Sequence, residues 1–142
     1  MSDRRASMRC MTRFAIDAAV ALRLVRGSAT LAAGHQLVGV AALRSEAMAI
    51  LYGELRSGAV GAREARDLLD GVAGLRVRLL GDRVSRATAW RIASERGWDD
   101  VRRAELLAVA MLQADALVTE DESLAADADG VVPLGTVGDL AR

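Results

Sequence analysis

The chain has 142 residues, of which 52% are hydrophobic and only 3% aromatic, so we expect one domain with an aliphatic core. Its formal net charge is 0, and all the basic residues are arginine, so overall charge gives no argument for a nucleic-acid partner. The single cysteine, Cys10, excludes an internal disulfide and a cysteine-based zinc site, and the single histidine, His35, argues against a histidine metal site.

The first residues show no hydrophobic periodicity. Residues 1–12 are polar and basic, and we expect them to form a disordered arm that precedes a single domain at residues 13–142. Neither a signal peptide nor an apolar run long enough to cross a bilayer can be recognised. These features predict a cytoplasmic protein without a membrane partner.

Short apolar runs alternate with amphipathic segments along the rest of the chain. Strands are predicted at residues 13–17, 37–41, 75–79, 116–119 and 130–134. Helices are predicted at residues 18–26, 43–55, 62–72, 82–96, 101–112, 123–126 and 137–141. Strands that alternate with helices predict a three-layer α/β/α sandwich around a parallel sheet of four to five strands.

Three acidic residues occupy comparable places in this pattern. Asp17 follows the first strand, Glu46 lies in the first turn after the second strand, and Asp121 follows the strand at 116–119. Parallel strands bring these positions to one edge of the sheet, where clustered carboxylates repel one another unless a divalent cation neutralises them. Oxygen ligands favour Mg²⁺ or Mn²⁺, and such a site activates water for attack on a phosphodiester.

Each acid taken alone also has a structural interpretation. Asp17 and Asp121 can cap helices, and Glu46 can interact with a helix dipole. The common placement of all three acids at one end of the elements favours the metal site, as does the cost of a charge at the end of the apolar strand before Asp17.

Four segments together resemble a PIN domain. They are residues 15–17, 43–46, 104–110 and 117–121, and they follow the order found in the VapC-like toxin ribonucleases of bacterial toxin–antitoxin pairs. The resemblance implies an α/β/α fold, Mg²⁺- or Mn²⁺-dependent endoribonuclease activity on RNA, and a homodimer. It also implies a cognate antitoxin protein that occupies the active-site groove.

The resemblance assigns roles to individual residues. Asp17, Glu46 and Asp121 match the acids that bind the metal and carry catalysis. Thr119 and Ser45 lie beside them and are expected to assist through hydroxyl or water contacts.

One position departs from the family. An acid usually precedes the Ala of the central helix, and this chain has Arg103 before Ala104. A cation there would compete with the metal, so metal binding should be weak and Arg103→Asp should strengthen it. Asp99 or Asp100, about one turn earlier, would then be the candidate for the missing metal ligand.

Arg103 also leaves two other interpretations open. It could bind a substrate phosphate through its two-pronged guanidinium. It could instead pair with Asp99, Asp100 or Glu46, which favours the alternative function of a catalytically weakened PIN-fold protein that acts as an RNA-binding or protein-interaction module.

Other classes fit less well. An aspartate phosphotransfer protein is disfavoured because the chain has no lysine to pair with a phosphoryl group. A dinucleotide site is disfavoured because no glycine-rich loop follows a strand.

A contact surface for a second copy or an antitoxin is expected on two helices that carry more apolar residues than a small domain can bury. These residues are Leu24, Val25, Leu51, Tyr52 and Leu55.

Overall fold

The computed structural model describes residues 12–142, so the predicted N-terminal arm lies outside the described residues except for Thr12. Five strands in this part of the chain form one sheet, and every strand pairs in parallel with its neighbours. The spatial order is β3-β2-β1-β4-β5. The strands are β1 (Arg13–Ile16), β2 (Gln36–Val40), β3 (Arg78–Leu80), β4 (Ala116–Val118) and β5 (Leu134–Gly135).

Helices cover both faces of the sheet. They are α1 (Ala18–Arg26), α2 (Leu43–Ser57), α3 (Ala62–Gly74), α4 (Arg83–Arg96), α5 (Arg102–Gln113), α6 (Glu122–Asp127) and α7 (Val137–Leu140). The first three pack on one another, while α4 packs on α5, and α5 packs against β1 and β2. The fold is therefore the predicted three-layer α/β/α sandwich, with five strands.

The core explains why the central strands are continuous apolar runs. Phe14, Ala15 and Ile16 of β1 are all buried, as expected for a parallel strand covered on both faces. The start of α2 approaches β2 closely, because a Cβ added at Gly39 would lie 2.7 Å from Cδ1 of Leu43. Close packing at this point fixes the first turn of α2 against the end of β2.

Two strands differ from the sequence prediction. Residues 75–77 do not belong to β3, because α3 continues to Gly74 and the Leu75 amide donates to the Val72 carbonyl. The predicted strand at 130–134 is reduced to β5, since the amides of Val131 and Val132 both donate to the Ala128 carbonyl. In both places a helix end uses the backbone groups that a strand would have needed.

The chain order reverses between β1 and β4. From β1 the chain moves outward to β2 and β3, and it then returns to β4 on the other side of β1. Ligands of open parallel sheets bind at such a switch point, beyond the carboxyl ends of the strands.

No helix in the described part of the chain has both the length and the apolar character to span a membrane.

Candidate functional site

A cavity of about 200 Å³ lies at the carboxyl ends of β1, β2 and β4, and we call it the acid cavity. It brings together the three acids predicted from sequence, Asp17, Glu46 and Asp121. Its other lining residues are two arginines and an apolar set, namely Arg102, Arg103, Ala18, Val40, Leu43, Leu106 and Leu124.

Asp17 is held by hydrogen bonds to both of its carboxylate oxygens. Oδ1 accepts a 2.9 Å bond from the Val20 amide, which makes Asp17 the N-cap of α1. Oδ2 accepts a 2.6 Å bond from the Thr119 hydroxyl. Since Thr119 Oγ1 also accepts a 3.1 Å bond from the Asp121 amide, one threonine joins the segments that carry two of the acids.

Asp121 is the N-cap of α6. Its Oδ1 accepts bonds of 3.0 and 3.2 Å from the amides of Ser123 and Leu124. Its Oδ2 makes no hydrogen bond within residues 12–142, which leaves that oxygen open to a ligand in the cavity. Asp17 and Asp121 therefore both cap helices, and both also line the acid cavity.

Glu46 lies half-buried in the first turn of α2. Burial raises the pKa of its carboxyl most, the negative charge of Glu105 raises it further, and Asp17 adds a smaller effect. The Arg102 guanidinium acts in the opposite direction. Burial and the neighbouring acids thus raise the pKa of Glu46 by more than Arg102 lowers it.

Arg102 and Glu105 were not singled out from the sequence. They lie three residues apart on α5 and therefore share a helix face, and this spacing is the signal that could have placed both near the acids.

A second and larger cavity of about 490 Å³ adjoins the first, and we call it the outer cleft. Arg102 and Arg103 line both cavities, whereas Asp99 and Asp100 line only the outer cleft. The Asp100 carboxylate accepts bonds from Nε and Nη2 of Arg102, and these bonds lower the pKa of Asp100 to about 2. Neither Asp99 nor Asp100 lines the acid cavity, where a further metal ligand was predicted.

Arg103 pairs with α6, and not with Asp99, Asp100 or Glu46 as the sequence suggested. Its Nη1 donates to Oγ of Ser123 at 2.9 Å and to Oδ2 of Asp127 at 2.5 Å. The partner is different because the fold brings Ser123 and Asp127 of α6 within hydrogen-bond reach of Arg103, an arrangement that local sequence does not reveal.

Ser45 is exposed and does not line the acid cavity. Its neighbours explain this placement: Leu43 is buried and Glu46 faces the cavity, so Ser45 points about 100° away from Glu46 around the helix.

The predicted contact surface is largely part of the fold. Leu51 is 1% exposed and belongs, with Val25, to the cluster between α1, α2 and α3. Leu24 and Leu55 are half-buried, while Tyr52 is 62% exposed and lies one turn from the exposed Met48. Of the predicted residues only Tyr52 is exposed, and Met48 and Ile50 are further exposed apolar side chains on α2.

The three acids that line the cavity have the ligand chemistry that a hard divalent cation prefers. Carboxylate oxygens suit Mg²⁺ and Mn²⁺. Burial is the largest cause of the raised pKa of Glu46, and a cation would offset the further rise that the charges of Glu105 and Asp17 cause. Within residues 12–142, however, no group of three acids, histidines or cysteines lies close enough to hold an ion as the side chains stand. Binding through all three acids would therefore require their carboxylates to move closer together.

Comparison with known proteins identifies the fold. No protein-family model and no curated protein matches the chain. Among solved structures, the chain is similar to the crystal structure of PAE2754 from Pyrobaculum aerophilum, with a TM-score of 0.65 and 24% identity. The match covers 91% of this chain and 93% of that chain. The two proteins share the α/β/α fold.

Proposed function

We propose that this chain is a metal-dependent endoribonuclease, and the toxin of a toxin–antitoxin pair, in which Asp17, Glu46 and Asp121 hold a Mg²⁺ or Mn²⁺ ion. The observation that carries the proposal is the acid cavity itself. Acids that follow three neighbouring parallel strands line one cavity beside the switch point of the sheet, and the pKa of Glu46 is raised there.

When bound, the metal would supply a polarised water and a Lewis acid for a phosphate oxygen. The residues of the chain have separate tasks. The bonds from Val20 and Thr119 fix the orientation of Asp17, and Asp121, whose Oδ2 accepts no hydrogen bond from the described residues, lines the same cavity. Arg102 lies at the boundary between cavity and cleft, where its guanidinium can contact a substrate phosphate.

The choice of RNA as substrate rests on the resemblance to PIN-domain toxins. The same resemblance supports a cytoplasmic location, a homodimer and an antitoxin partner. Met48 and Tyr52 support such a contact, because two large apolar side chains one turn apart are exposed on α2.

The test is cleavage of single-stranded RNA in the presence of Mg²⁺ or Mn²⁺. Asp17→Asn keeps an N-cap residue and removes the charge, so we expect a folded protein whose activity falls by about 100-fold or more. Asp82→Asn is the matched control, since Asp82 caps α4 with a similar 2.9 Å bond and lies outside the acid cavity. Wild-type protein that does not cleave RNA with either metal would contradict the proposal.

The second candidate is a PIN-fold RNA-binding or protein-interaction module with weakened catalysis. The two arginines that line the acid cavity favour it, because fixed cations can bind phosphate without any metal. This candidate predicts RNA binding that is unaffected by EDTA and is not followed by cleavage.

A further inference from the structure

The helix that carries Asp121 depends on contacts from outside itself. α6 spans only Glu122–Asp127, and Leu124 is its one buried residue. A helix of this length is not stable alone, so its position has to be set by the elements around it.

Two arginines tie α6 to the neighbouring helices. Nη1 of Arg103, on α5, bonds both Ser123 in the first turn and Asp127 at the last residue. Nη1 of Arg96, on α4, donates a 2.8 Å bond to the Asp127 carbonyl, and its guanidinium lies 5.5 Å from the centre of the Trp98 ring. Arg103 is therefore the residue that connects both ends of α6 to α5.

The bonds of Arg103 lead directly to the acid cavity. Arg103 holds the side chain of Ser123, and the amide of Ser123 donates to Oδ1 of Asp121 at 3.0 Å. Two hydrogen bonds thus separate the guanidinium from the carboxylate that lines the cavity.

We propose that Arg103 is a positioning residue for Asp121, which holds α6 so that the Asp121 carboxylate faces the acid cavity. The metal-binding part of this inference rests on the function proposed above. The Asp127 carboxylate, 2.5 Å from Arg103, offsets the positive charge of Arg103 that would otherwise oppose a metal ion.

The two interpretations of Arg103 give opposite results. If Arg103 mainly repels the cation, Arg103→Gln strengthens Mn²⁺ binding. If it positions Asp121, the same substitution weakens Mn²⁺ binding by about 10-fold, which is the usual effect of removing a group that orients a metal ligand. Asp127→Asn, which removes the other side of the ion pair, is expected to weaken binding in the same direction.

The experiment compares the full-length protein with Arg103→Gln, Asp127→Asn and the charge-reversed double variant Arg103→Asp/Asp127→Arg. Amide hydrogen exchange without metal reports on α6, and Mn²⁺ titration reports affinity and the broadening of the Asp121 amide signal. Arg91→Gln is the control, because Arg91 forms an exposed ion pair with Glu95 on α4 and does not line the cavity.

We expect Arg103→Gln to lower exchange protection in α6 by about 10-fold while α1 keeps its protection, since a lost tertiary contact opens the local unit first. The double variant should restore part of the protection. Unchanged protection of α6, or tighter Mn²⁺ binding by Arg103→Gln, would overturn the inference. If the wild type binds no Mn²⁺ and cleaves no RNA, the proposed function fails. The role of Arg103 is then still decided without metal, by the hydrogen exchange of α6 and by the NMR chemical shift of the Asp121 carboxyl carbon in the wild type and in Arg103→Gln.

Discussion

Glu46 carries a carboxyl at a place where burial and neighbouring acids disfavour its charge. Burial contributes most to this cost, and the charges of Glu105 on α5 and Asp17 after β1 add to it, while Arg102, also on α5, partly compensates them. The pKa of Asp82, a carboxylate that caps a helix, shifts in the opposite direction, because hydrogen bonds from Ser85 lower it. The contrast separates a capping carboxylate, whose charge is stabilised by hydrogen bonds, from a carboxyl whose charge is disfavoured by burial and by neighbouring acids.

The pH dependence of stability tests the environment of Glu46. Its pKa is raised in the folded protein, so between 4.5 and the raised value the folded state binds more protons than the unfolded state. The free energy of unfolding therefore falls as pH rises through that window. We expect Glu46→Gln to be more stable than the wild type at pH 7 and to lose this advantage below pH 4.5, as measured by urea unfolding at both pH values.

Glu64→Gln is the control for this measurement. Glu64 also occupies the first turn of a helix, α3, but it is exposed. Its substitution reports the loss of the favourable interaction with the helix dipole alone. A Glu46→Gln protein that behaves like Glu64→Gln at both pH values would show that the burial of Glu46 has no energetic consequence.

At the scale of elements, sequence prediction succeeds best at the C-terminal ends of the helices, because glycine marks these ends. Gly27, Gly58 and Gly97 follow α1, α2 and α4 with φ of 80°, 83° and 67°, a conformation in which glycine pays no steric cost. The short strands were harder to predict. Both β3 and β5 begin beside helix ends whose hydrogen bonds depend on tertiary packing and not on the local pattern.

Two glycines inside helices give a matched test of packing between α1 and α3. A Cβ at Gly53 of α2 would meet nothing within 4 Å, whereas a Cβ at Gly71 of α3 would lie 2.3 Å from Cγ1 of Val25 on α1. We expect Gly53→Ala to raise the free energy of unfolding by about 0.5–1 kcal/mol, because alanine favours the helix.

Gly71→Ala should lower the free energy of unfolding despite the same gain in helix preference. The branched Val25 side chain is stiff and cannot easily move aside, and forcing an extra methyl group into a packed site costs about 1–3 kcal/mol. Chemical denaturation of both variants makes the comparison. Equal stabilisation by the two substitutions would mean that α1 and α3 are not packed as closely as the structure has them.

For the molecule as a whole, the sequence predicts the sandwich and one site, because both follow from alternating elements in a parallel sheet. Asp17, Glu46 and Asp121 were placed together by this rule, and the structure brings all three to one cavity. The partner of Arg103 could not be predicted in the same way. Asp127 is 24 residues distant in sequence, and its contact depends on how α6 lies against α5.

The proposal that the acid cavity binds a metal ion is tested by the effect of Mn²⁺ on the thermal stability of the whole protein. A ligand that binds only the folded state adds about 2.7 kcal/mol at a concentration 100 times its Kd, and for a chain of this size that raises Tm by roughly 5–10 °C. We expect Mn²⁺ at that concentration to produce this shift in the wild type and in Asp82→Asn, because the cap at Asp82 lies outside the acid cavity. Asp17→Asn should lose the shift, since it keeps the cap of α1 but removes the charge of one of the three acids that line the cavity. Thermal unfolding of the three proteins with and without Mn²⁺ measures the effect, and an equal shift in Asp17→Asn would place the metal elsewhere on the protein.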